Sequence, residues 1–168
     1  MTIDLMDYVI EFYKDAERQG PGNGEATRKA LQYIPELGKN ARILDIGCGT
    51  GAQTMVPAKN TKAQIIAVDM LQEFLDKLQE KIDRKNLSNR VVIKQGLMDN
   101  LDFQEKSFDV IWSEGAIYNI GFEKGLLEWI RLLKDGGYVV VSEISWFTDK
   151  RPKEIEEYWA NAYPEIDT

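Results

Sequence analysis

The chemistry this sequence can do is concentrated in a glycine run and a few acidic residues around it. Leu44-Asp45-Ile46-Gly47-Cys48-Gly49-Thr50-Gly51 sets glycines at alternate positions, after an apolar stretch and before a helix-like segment. Glycine turns the chain sharply and lets a ligand approach the backbone with no Cβ in the way. A strand–turn–helix order aims backbone N–H groups at whatever sits above the turn. Asp45 stands two residues before Gly47. A carboxylate there would repel a pyrophosphate but could accept hydrogen bonds from an ammonium group. The run is Gly-x-Gly-x-Gly, because Ala52 occupies the position where a dinucleotide loop has its third glycine. Asp69 closes the next apolar run, where a carboxylate can accept both hydroxyls of a ribose. The simpler role for it is a helix N-cap for the segment from Leu71. Glu114 closes another apolar run and needs a partner there. Binding a cofactor, orienting a substrate and making a structural hydrogen bond are equally open to it. Tyr118 is the other candidate for moving a proton, and Tyr13, Tyr118 and Trp146 are candidates to line a pocket.

Composition narrows the chemistry further. The 168 residues contain no histidine, which removes the commonest general base and every imidazole metal site. Cys48 is the single cysteine, so no internal disulfide and no zinc or iron–sulfur ligand set is available. It reads as a small, tightly packed loop residue. A net charge of −7 counts against nucleic acid as the default partner. Arg84-Lys85 and Lys150-Arg151 are the adjacent basic pairs, each more simply a helix end or a solvated surface. No apolar run approaches the roughly 20 residues that span a bilayer. The start, Met1-Thr2-Ile3-Asp4-Leu5, lacks the basic-then-apolar pattern of a secretory signal. A cytoplasmic protein that does not associate with membranes is the expectation.

Short β-branched runs alternate with longer amphipathic ones to position these residues. Strands are predicted over Ala41–Ile46, Ala63–Val68, Val91–Lys94, Phe108–Trp112 and Tyr138–Ile144, and helices over Gly51–Lys59, Leu71–Arg84 and Lys124–Leu133. Leu71, Phe74, Leu75, Leu78 and Ile82 repeat with the helical period. Lys134-Asp135-Gly136-Gly137 is predicted to stop the last of these helices. Strands that are apolar on both faces, alternating with helices, imply an α/β fold with a parallel sheet covered on both sides. Two further helices, Met6–Gln19 and Gly24–Leu37, precede the sheet and flank the turn Gly20-Pro21-Gly22-Asn23-Gly24. They are expected to form an N-terminal helical layer over residues 1–38, ahead of a domain over residues 39–168. After the fifth strand comes one helix candidate, Pro152–Ala162, and no sixth strand. The fifth strand is therefore expected to be an exposed edge, left by truncation of a longer protein or covered by a second copy.

The ordered motifs resemble those of class I S-adenosylmethionine (SAM) dependent methyltransferases, the quinone-biosynthesis-type methyltransferase-domain group in particular. Ile43–Gly51 resembles the first motif, Ala67-Val68-Asp69-Met70 the ribose motif, and Gln95-Gly96-Leu97-Met98-Asp99 the adenine segment. Phe108–Glu114 resembles the fourth-strand motif, and Leu132–Gly137 the turn before the fifth strand. The match runs from about residue 40 to 145, and the family's final two strands are missing. The resemblance implies a Rossmann-like, doubly wound, mainly parallel sheet and an enzyme that methylates a small molecule. SAM would be the cofactor and S-adenosylhomocysteine its product. It places Asp45, Gly47, Cys48, Gly49 and Gly51 on the cofactor, where the charge of Asp45 suits the methionyl part. It puts Asp69 on the ribose, Met70, Leu97, Met98 and Asp99 around the adenine, and Glu114 facing the methyl-transfer site. For Asp99 an ordinary turn role is as good a reading, and Met98 could be core filler. A SAM-binding fragment without an acceptor site and an NAD(P)-dependent oxidoreductase are the competing functions.

Overall fold

A computed structural model describes residues 5–167; residues 1–4, where the absence of a secretory signal was read, and Thr168 lie outside it. Five strands form one sheet in the order β3-β2-β1-β4-β5, with all four pairings parallel. They are β1 (Arg42–Ile46), β2 (Gln64–Asp69), β3 (Val91–Gln95), β4 (Phe108–Glu114) and β5 (Leu133–Ser142). The chain winds outward from β1 to β3 and then restarts at β4 on the other side. Adjacent β1 and β4 therefore diverge at their C-terminal ends, which is where open α/β sheets bind ligands.

Side-chain alternation along each strand divides the core in two. Ile43 of β1 and Val110 and Trp112 of β4 point to one face. They pack there with Met55 and Ala58 of α3 (Met55–Asn60) and with Leu75, Leu78 and Ile82 of α4 (Gln72–Arg84). Leu44, Ile46 and Ile111 point to the other face, against Trp129 of α5 (Phe122–Ile130) and Leu132. The central strands β1 and β4 are buried almost throughout. The same alternation fixes the acidic residues. Asp45 shares the face of Ile43, and Glu114 the face of Trp112.

Several boundaries differ from the sequence expectation. The first helix, α1, covers Leu5–Tyr13, and α2 covers Gly24–Leu31; residues 14–23 run between them as an irregular strap. Tyr13, expected inside a helix running to Gln19, is instead its last residue. The segment after the glycine run turns through residues 50–54, and α3 starts only at Met55. The turn expected at Lys134–Gly137 lies inside β5. Leu133 pairs with Phe108, the ladder then shifts register, and Tyr138 pairs with Val110. Gly137 permits this bulge, since a Cβ there would lie 2.8 Å from the Asp109 carbonyl oxygen. The helix α6 (Lys153–Ala162) follows, and no helix of the described residues is long and apolar enough to cross a membrane. β5 forms an edge of the sheet, as expected.

Candidate active site

The glycine run closes the C-terminal end of β1 and adopts left-handed backbone at all three glycines, with φ of 71° at Gly47, 52° at Gly49 and 84° at Gly51. A Cβ on Gly47 would lie 2.5 Å from that of Ala116, so this glycine is needed for close approach to the end of β4 as well as for its φ. Every backbone N–H of residues 47–51 has a protein acceptor. Gly47 and Cys48 donate to the Val68 carbonyl at 2.9 and 3.0 Å, and Gly51 donates to Cys48 at 2.9 Å. Gly49 donates to the Asp69 carboxylate at 2.8 Å, and Thr50 to the Gln19 side-chain oxygen at 3.1 Å. A phosphate-cradling loop presents such N–H groups to its ligand; this loop has used them.

Above the loop lies a cavity of about 800 Å³, within the range of small-molecule sites. Of the expected cofactor contacts, Gly47, Cys48, Gly49, Asp69, Met70, Leu97, Met98 and Glu114 line it, as does Tyr118. Its walls include the carboxylates Asp69, Asp99 and Glu114 and, among the described residues, no Lys or Arg. Asp69 is held by two N–H groups, from Gly49 and from Leu71 at 3.0 Å, and burial pushes its carboxyl above the usual range. The N-cap role weighed for it is not met, because the N-cap residue of α4 is Leu71; Asp69 makes an Asx turn to that residue's N–H, and its other oxygen is turned back to the loop. Asp99 stands 3.5 Å from the Lys124 ammonium. Met98 is anchored through its carbonyl oxygen, which accepts from the Trp129 indole at 2.8 Å.

Other expected contacts are placed elsewhere. Asp45 does not line the cavity; it is fully buried beneath the loop, on the α3 face. One of its oxygens accepts from Thr54 Oγ1 at 2.6 Å and the other has no hydrogen-bond partner. Burial, with the Glu114 and Asp69 charges adding to it, pushes its pKa up to about 7. Gly51 also faces away. Its missing Cβ makes room for Leu78, whose Cδ1 would lie 2.2 Å from one. With that clash and a φ of 84°, Gly51→Ala is expected to cost about 1–3 kcal/mol in thermal or urea unfolding. A loss under about 0.5 kcal/mol would show that Leu78 simply moves aside. Trp146 does not line the cavity and stacks instead on the Arg151 guanidinium, 4.5 Å from its ring centroid. The Cys48 thiol is pushed up by burial, in keeping with a packing role.

Glu114 has the structural partners weighed for it as one alternative. Its Oε1 accepts from the Trp112 indole at 2.8 Å, and its Oε2 accepts from Thr27 at 3.0 Å and from the Arg18 guanidinium. These bonds tie the carboxylate to β4, α2 and the strap. Arg18 and Gln19, both from the strap, were missed in the sequence. Their signal was the adjacent Gly20-Pro21-Gly22 turn, which brings Gly20 and Pro21 onto the cavity.

Comparison with known proteins agrees with this frame. Residues 37–166 match the family described as "Methyltransferase domain". The chain belongs to that family. This methyltransferase domain is 31% identical over 121 residues to a demethylmenaquinone methyltransferase of Lactiplantibacillus plantarum, covering 70% of this chain and 51% of that protein. It is also 31% identical over 120 residues to a ubiquinone/menaquinone biosynthesis C-methyltransferase of Geotalea daltonii, covering 70% of this chain and 49% of that one. The chain thus spans about half the length of these two curated relatives. Its fold matches that of Haemonchus contortus phosphoethanolamine N-methyltransferase 2, solved with SAM, with a TM-score of 0.77 at 23% identity. That match covers 96% of this chain and 37% of the other. Family membership removes the oxidoreductase reading.

Proposed function

We propose that this chain binds SAM in the cavity above the glycine loop and transfers its methyl group to a small, largely apolar acceptor. The observation that carries this reading is the charge of the walls. Three carboxylates and no cation line the cavity, two of them paired to Arg18 and Lys124 outside its lining, over a loop with no N–H left for a phosphate. Such a site suits a ligand bearing sulfonium and ammonium charges and opposes a pyrophosphate. Gly47 and Gly49 keep the floor free of Cβ atoms. Asp69 retains lone pairs for ribose hydroxyls, and Met70, Leu97 and Met98 offer a flat apolar surface for a base.

Bound there, SAM would supply a methyl carbon already attached to a good leaving group. The chain's task is then to hold donor and acceptor near attack distance, about 3–3.5 Å, and exclude water. Val9 and Tyr13 of α1 with Tyr118 and Ile120 beyond β4 form the remaining, mostly apolar wall. Glu114 and Tyr118 remain the candidates for handling an acceptor proton. Asp45 contributes from below, by setting the loop, and not by touching the ammonium.

Calorimetry with SAM, S-adenosylhomocysteine and NADH tests the reading. The first two are expected to bind and NADH not to; failure of both adenosyl ligands overturns it. Asp69→Ala is expected to weaken SAM by about tenfold or more, the scale of hydrogen bonds to a charged acceptor. Unchanged affinity in a variant that still melts cooperatively would place the ribose elsewhere.

A further inference from the structure

The glycine loop has a second face. Behind it, bounded by the strap, α3 and α4, lies an open cleft of about 1120 Å³. Thr50 and Ala52 line both this cleft and the cavity above, so the loop is the wall between them. The two spaces have opposite charge. Eight of the chain's 21 basic side chains line the cleft against three acidic ones, in a chain of net charge −7.

Part of this charge is neutralised locally. Arg18 is paired with Glu114, Lys14 with Glu11, Lys77 with Asp15 at 3.0 Å, and Arg84 with Glu80 at 4.0 Å. Arg28, Lys59 and Lys85 make no ion pair among the described residues, and all three are exposed. Lys81 is half-buried and donates to the Thr50 carbonyl at 2.8 Å. Burial lowers its pKa, opposed by the neighbouring Glu17 carboxylate. Cations gathered in a concave space repel one another, and the field they focus is relieved by an anion bearing several charges. Lys and Arg side chains are well suited to phosphate oxygens.

We propose that this cleft is a binding site for a small polyphosphorylated anion, distinct from the cavity above the loop. Its extent argues for a small ligand. The surface outside the cleft is more acidic than the chain as a whole, so a nucleic acid reaching past the cleft meets repulsion. The inference stands on the cleft alone and not on the ligand proposed for the cavity.

Calorimetry of the full chain with inorganic tripolyphosphate, at about 50 and 200 mM salt, reads the site directly. Binding is expected, weaker at the higher salt. The double variant Lys59→Glu with Lys85→Glu is expected to lose about tenfold or more of it. Lys150→Glu with Lys153→Glu makes the same change of net charge outside the cleft and is expected to bind like the parent. Absence of binding by the parent at millimolar tripolyphosphate overturns the proposal. So does equal loss in both double variants, which would make the effect one of net charge. Tighter binding of a single-stranded DNA 20-mer than of tripolyphosphate overturns the small-anion assignment. All four exchanged lysines are exposed, and thermal melting confirms that each variant is folded.

Discussion

Glu114→Ala is expected to destabilise the fold by about 3–5 kcal/mol, the scale on which removing one partner of a buried ion pair acts. The carboxylate and the Arg18 guanidinium are both largely buried, with side chains 9% and 15% exposed. Deleting the acid strands the Trp112 indole N–H and leaves the guanidinium charge unpaired, with only its Nε–H still bonded, to the Pro21 carbonyl; the Thr27 hydroxyl falls back on the Asn23 carbonyl. A stranded buried charge costs more than the pair contributed, which is why the effect is large although the pair itself need not be strongly stabilising. The damage also has a direction. Arg18 is the strap's anchor on the sheet, and Gln19 beside it holds Thr50 of the glycine loop. Urea unfolding should therefore show the loss, and limited proteolysis should show residues 14–23 cut first. Glu114→Gln keeps an acceptor for the indole and should lose less. A loss below about 1 kcal/mol in the alanine variant would mean that the guanidinium finds water instead.

Sequence and structure agree most closely where a pattern is local. The strands β1, β2 and β4 are apolar on both faces, and α4 carries Phe74, Leu75, Leu78 and Ile82 at the helical period, so both were legible. What was not legible depends on where a strand's faces end up. Asp45 and Gly51 were both expected to meet a ligand, Asp45 for its charge and both for their place in the glycine motif. The alternation that sends Ile43 into the α3–α4 core sends Asp45 there too, and Gly51 is a glycine because Leu78 packs on it. Glu114 and Arg18 lie 96 residues apart, and nothing near either announces the other. The basic cleft was hidden for the same reason. Adjacent pairs such as Arg84-Lys85 can be seen in a sequence, whereas Arg28, Lys59 and Lys81 meet only after folding. The Gly136-Gly137 signal was genuine, but a glycine pair marks a bulge inside a strand as readily as a turn before one.

Asp45→Asn is expected to stabilise the protein at alkaline pH relative to the parent, and progressively less as pH falls. Asp45 is wholly buried, and burial is the main reason that its pKa rises to about 7 from an ordinary 3.8. The hydrogen bond from Thr54 opposes the rise, while the Glu114 and Asp69 charges push the same way as burial. Between these two pH values the folded chain holds a proton that the unfolded chain has released. Stability therefore falls as pH rises through that window and levels off above it, opposite to the behaviour of a salt-bridged carboxylate. About three pH units at 1.36 kcal/mol each bound the effect at about 4 kcal/mol. Asparagine cannot ionise, yet it is nearly the same shape and can still accept from Thr54. The difference in unfolding free energy between variant and parent should thus grow from pH 4 to pH 7 and stay constant to pH 9. Urea titrations at those three values measure it, and using the difference cancels the titrating groups that do not interact with Asp45. A difference that does not change with pH would show that Asp45 is ionised throughout, and that its orphaned oxygen meets a donor beneath the loop.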